Sequence, residues 1–76
     1  MMQIVHNVRI GNKLVELSLT PALHTETGDA IYLVDGYLEQ YQLGQNEDGG
    51  WEFLTGVPEP LAMLEDEISN VIEDRL

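Results

Sequence analysis

There is room in 76 residues for one domain and one hydrophobic core, and the absence of cysteine excludes a disulfide-stapled fold, a thiolate zinc site and a thiol nucleophile. Fourteen acids against three bases give a formal net charge of −11, a field that repels nucleic-acid phosphates and anionic membranes and draws in basic protein surfaces. The 43% hydrophobic content is ordinary for a packed domain and argues against disorder.

Met1-Met2-Gln3-Ile4-Val5-His6 lacks the basic start and apolar run of a signal peptide, and nothing approaches the roughly 20 apolar residues of a membrane-spanning helix. The expectation is a cytoplasmic protein. The charge is uneven: residues 1–38 carry −2, whereas residues 39–76 carry −9.

Residues 3–19 read as a β-hairpin. Gly11-Asn12 has the glycine-first order of a type II′ turn. That turn sets Ile10 opposite Lys13, Val8 opposite Val15, His6 opposite Leu17 and Ile4 opposite Leu19, all on one mainly apolar face. Val5 with Ser18, Asn7 with Glu16 and Arg9 with Leu14 fall on the other. Residues 20–29 read as a loop, with Pro21 ending the strand and Gly28-Asp29 as a second turn signal.

Residues 30–34 are a short apolar β run. Asp35-Gly36 reads as a type I′ hairpin turn, after which residues 37–43 return as a strand. A short helix capped by Asp35 and ended by Gly44 is the competing reading; aromatic and β-branched content favours the strand. Residues 45–50 form a polar turn, and 51–55 a last short strand with Trp51, Phe53 and Thr55 on one face.

From Pro58 onward Leu61, Leu64, Ile68, Val71 and Ile72 recur at the spacing of an amphipathic helix that runs to the C-terminus. Glu73 and Asp74 stand near its end, where the macrodipole opposes them; Arg75 offsets them in part. Acids placed there point to a surface with a purpose beyond helix stability. The expected fold is one α+β domain over 1–76: an antiparallel sheet of four to five short strands (two hairpins plus one strand, residues 3–55) with the C-terminal amphipathic helix (58–76) packed on one face. A small open β-barrel capped by the helix is the alternative.

No arrangement carries catalysis. His6 lies on the apolar face, where a hydrogen-bonded core histidine is the simpler account. His24, Glu26 and Asp29 share one loop without metal-site spacing. Asn46-Glu47-Asp48-Gly49 resembles part of a calcium loop, but with Gly49 at the invariant glycine the end positions fall on Gly44 and Thr55, which bring no carboxylate. Adjacent acids such as Glu65-Asp66-Glu67 read as solvated faces, not as an acid–base pair around a cleft. Ser18 and Ser69 lack the flanking glycines of a nucleophile elbow. Tyr32, Tyr37, Tyr41, Trp51 and Phe53 read as core, since three bases in all leave nothing to hold a nucleic-acid backbone.

The expected function is therefore non-catalytic and needs no cofactor or metal: an interaction, regulatory or accessory protein that meets a basic partner surface through its acidic C-terminal half, with Glu65, Asp66, Glu67, Asn70, Glu73 and Asp74 as the contact residues. Its extreme form would be a nucleic-acid mimic that occupies a DNA-binding protein. Neither nucleic acid nor membrane is expected as a direct partner. The alternative is a self-associating, homodimeric module using an uncovered sheet face; a small metal-dependent enzyme built on His6 or His24 ranks last.

Overall fold

The computed structural model describes residues 3–75. Five strands, β1 (Ile4–Ile10), β2 (Lys13–Leu23), β3 (Ala30–Tyr37), β4 (Glu39–Gln45) and β5 (Trp51–Phe53), form one antiparallel sheet in the order β1-β2-β3-β4-β5. Two helices, α1 (Glu59–Ala62) and α2 (Glu65–Glu73), follow. The class is α+β, as the run of strands followed by an apolar helical stripe required.

The first hairpin has the expected register at every pair from Ile4–Leu19 to Ile10–Lys13. Gly11 has φ 64° and Asn12 is not in the positive-φ region, the pattern of a turn with glycine in the first central place. Ile4, Val8, Leu17 and Leu19 are buried, whereas Val5, Asn7, Arg9, Leu14 and Glu16 across the pleat are exposed.

Pro21 does not end β2, which continues to Leu23 and pairs Pro21 with Tyr32 on β3. Backbone groups of successive residues point to alternate edges of a strand. The type II′ turn makes Ile10 and Lys13 a hydrogen-bonded pair, so the odd-numbered residues of β2 bond β1 and the even-numbered ones bond β3. The nitrogen of Pro21 therefore faces the β1 side, beyond the last described pair, Ile4–Leu19. A proline there removes no bond to β3. The loop shrinks to residues 24–29, closed by His24 N–H to Asp29 O and Gly28 N–H to His24 O, both 2.8 Å.

Asp35-Gly36 is not the hairpin turn. The β3–β4 register shifts between Val34–Tyr41 and Tyr37–Glu39, so Asp35 and Gly36 together oppose Gln40 in a bulge. The reversal comes at Leu38, with φ 61°. Gly36, at φ 119°, runs so close to β2 that a Cβ would collide with the carbonyl oxygen of Glu16. Close approach to β2, not turn geometry, is what glycine serves here. The segment after it is a strand, two residues later than the expected 37–43.

The C-terminal segment is two helices and not one. Met63 and Leu64 separate them, with Leu64 at φ −98°, ψ 2°, outside helical values. Neither glycine nor proline stands there. Leu61 on α1 and Ile68 and Ile72 on α2 are fully buried, while Met63 between them is 77% exposed.

These helical side chains join Ile4, Val8, Leu17, Leu19, Tyr32, Val34, Tyr41, Leu43 and Trp51 in one core on a single face of the sheet. Each fully buried aliphatic side chain contributes about 1.5–3 kcal/mol. The aromatic residues belong to this core: Tyr32 meets Trp51 edge-to-face at 5.0 Å, and Tyr41 meets Phe53 at 6.4 Å.

Candidate functional site

The six polar residues singled out on the C-terminal helix lie on three arcs of α2 and its C-cap. Glu65 and Ser69, one turn apart, face β5. Glu65 Oε2 accepts the backbone N–H of Phe53 at 3.0 Å, and Ser69 Oγ accepts that of Trp51 at 2.9 Å. Glu67 faces the opposite way, toward β1, where its Oε2 lies 2.8 Å from His6 Nε2. Asp74 stands seven residues on, along the same stripe. Asp66, Asn70 and Glu73 point outward between these flanks and are exposed, as is Asp74.

The helix break changes the electrostatic account of the acids. Glu65, Asp66 and Glu67 become the first turn of α2, where the macrodipole stabilises them. Only Glu73 and Asp74 remain opposed by it, with no basic residue in the last turn.

Glu65 and Ser69 have a structural task that the sequence did not reveal. Trp51 and Phe53 turn their N–H groups away from β4, and an unpaired sheet edge would follow without these acceptors. The one available signal was the position of Ser69 between Ile68 and Ile72 on the half-buried flank of the stripe. Because Ser69 is buried, Ser69→Ala leaves the Trp51 N–H without a partner. A loss of about 1–3 kcal/mol is expected in urea denaturation, whereas Glu65→Gln, which keeps an acceptor oxygen, should cost much less.

Away from the helices, the far face of the sheet is open over β1 and the first part of β2. Val5 and Leu14 are 50% and 69% exposed there, beside Asn7, Arg9 and Glu16. At its other end Leu54 lies over Gly44, where a Cβ would come within 2.6 Å of Leu54 Cδ2. His24, Thr27, Asp29, Ile31, Gln45 and Leu54 contribute to a cleft of about 490 Å³ beside it. His24 Nδ1 accepts the N–H groups of Glu26 and Thr27 at 3.2 and 3.3 Å, which ties the ring to loop closure. Among the described residues no group of three His, Asp or Glu side chains stands close enough to hold a metal ion. Asn46 Oδ1 likewise accepts Asp48 and Gly50 N–H at 3.0 Å, closing the β4–β5 turn on itself.

No helix among the described residues is long and apolar enough to cross a membrane. Comparison with protein-family models, with curated proteins and with solved structures finds no match. The fold and surface define a small acidic α+β domain whose functional reading rests on its own residues.

Proposed function

We propose that this domain is a non-catalytic interaction module that engages a basic protein surface through the acidic side of α2. One observation carries the reading: Asp66, Asn70, Glu73 and Asp74 are all exposed and none of their side chains has a hydrogen-bond or ion-pair partner among the described residues, although Glu73 and Asp74 oppose the helix dipole. Glu67 adds a half-exposed carboxylate at the flank, held by His6. Glu65 belongs more to the fold than to the contact, since its carboxylate binds Phe53. The −9 of the C-terminal half would speed encounter with a cationic partner and make the complex sensitive to salt.

The test is capture from a lysate at low salt with elution by rising salt, repeated with a variant carrying Asp66→Asn, Glu67→Gln, Glu73→Gln and Asp74→Asn. The expected result is a basic protein that elutes sharply with salt and that the variant retains at least about tenfold less well, each exposed pair being worth up to about 1 kcal/mol. A partner held equally by both proteins would overturn the proposal.

A second reading, self-association through the uncovered β1–β2 part of the far sheet face, is favoured by exposed Val5 and Leu14. A dimer in light scattering that persists at high salt would put it first.

A further inference from the structure

The two edges of the sheet are treated differently. At β5 the outward N–H groups of Trp51 and Phe53 are both taken by α2 side chains. At β1 the alternation of pairing turns the N–H and C=O groups of Val5, Asn7 and Arg9 outward. The far end of the sheet gives the same parity. Leu54 N–H bonds Gln42 O at 3.0 Å, so even-numbered residues of β4 and β5 face each other, and carrying the pairing back strand by strand leaves Val5, Asn7 and Arg9 on the free side. No hydrogen bond to these outward groups occurs among the described residues.

Natural edge strands are blunted by shortness, proline, a bulge, charges or a cover. β1 is seven residues long, carries no proline and pairs with β2 without a register break. Its one fixed charge is Arg9, near one end. The flank of α2 beside this edge presents Glu67, already in contact with His6 of β1, and Asp74 on the same stripe.

We propose that β1 is a docking edge for an extended segment of a basic partner, which adds as a sixth strand. Main-chain bonds to Val5, Asn7 and Arg9 provide the attachment. Lysine or arginine at alternate positions, on the side of the sheet that bears the helices, meets Glu67 and Asp74. A second copy of this chain fits less well, because antiparallel β1–β1 pairing puts both acidic flanks on the same side of the joined sheet. The inference gives the docking mode of the proposed partner and rests on that reading only for the partner's charge.

The probe is a short, capped peptide of alternating lysine and valine, with an alternating glutamate and valine peptide as control. In the free protein the amides of Val5, Asn7 and Arg9 should exchange quickly, and those of His6 and Val8 slowly. Adding the lysine peptide should slow the first three by about tenfold or more, the worth of roughly one hydrogen bond each. Asn7→Pro removes an outward N–H that the ladder does not use, so the folded variant should bind the peptide at least about tenfold more weakly. Because the exchange measurement uses the unaltered protein, it decides even if that variant fails to fold. Peptide binding that perturbs Asp66, Asn70 and Glu73 without protecting the β1 amides would overturn the edge and leave the acidic-stripe reading standing. No lysine-peptide binding would overturn the edge, while lysate capture would judge the broader reading separately. Protection by the glutamate peptide, or by the protein's own concentration, would overturn the basic-strand assignment.

Discussion

Gly36→Ala is expected to abolish the native fold, although it adds a single methyl group at an exposed position. Two costs combine. Gly36 holds φ 119°, a region that side-chain-bearing residues rarely adopt, and strain of this kind costs about 1–3 kcal/mol. The added Cβ would also collide with the Glu16 carbonyl oxygen, which is backbone in the middle of β2 and cannot swing aside. Relief requires β2 and β3 to separate near Ser18–Asp35, and the bulge that aims the chain into β4 goes with them. Stability for a chain of this size is about 4–11 kcal/mol, so a combined penalty of several kcal/mol removes most or all of it. The expected result is loss of the cooperative thermal transition in circular dichroism. Gly28→Ala and Gly49→Ala provide the comparison. Both residues have positive φ, but a Cβ at either meets nothing within 4 Å, so only the conformational cost of about 1 kcal/mol should appear. If Gly36→Ala melts like these two, the close approach of β3 to β2 is wrong.

Ile68→Ala is expected to cost about 2–5 kcal/mol, because Ile68 is fully buried between the sheet and the helix and its removal leaves a cavity that the surroundings refill only in part. Its position raises the consequence. Ile68 sits on α2 beside Ser69, whose hydroxyl holds the Trp51 amide, so loosening the helix also uncovers the β5 edge. An α2 of nine residues has little stability of its own and depends on this packing. Urea denaturation should show a lower midpoint, and Trp51 fluorescence should shift red as its burial is lost. Met63→Ala, at a 77% exposed site on the neighbouring turn, should change stability by less than about 0.5 kcal/mol. Equal losses at the two sites would contradict the placement of the helical stripe.

The parts of this fold that were legible in the sequence are those where local chemistry and pattern agree. Gly11-Asn12 fixes a turn, the turn fixes a register, and that register puts Ile4, Val8, Leu17 and Leu19 on one face; each statement needs only near neighbours along the chain. The stripe Leu61, Ile68 and Ile72 was visible for the same reason, since helical spacing is a local property. The exposed acids Asp66, Glu73 and Asp74 were placed by what the stripe left over.

Tertiary structure decided the rest, because the deciding partner lies far along the chain. Pro21 is tolerated inside β2 because its nitrogen faces the β1 side, and which side that is depends on the hairpin before it. Asp35-Gly36 has the composition of a tight turn, yet the approach of Glu16 makes Gly36 a contact residue in a bulge and moves the reversal to Leu38. The helix breaks at Met63-Leu64 although no helix-breaking residue stands there and Leu61 and Ile68, which share one helical face, are both buried. Glu65, Asp66 and Glu67 look alike as three consecutive acids. One binds the β5 backbone, one meets solvent and one holds a histidine on β1, since a helix turns successive side chains about 100° apart and the sheet presents a different group to each flank.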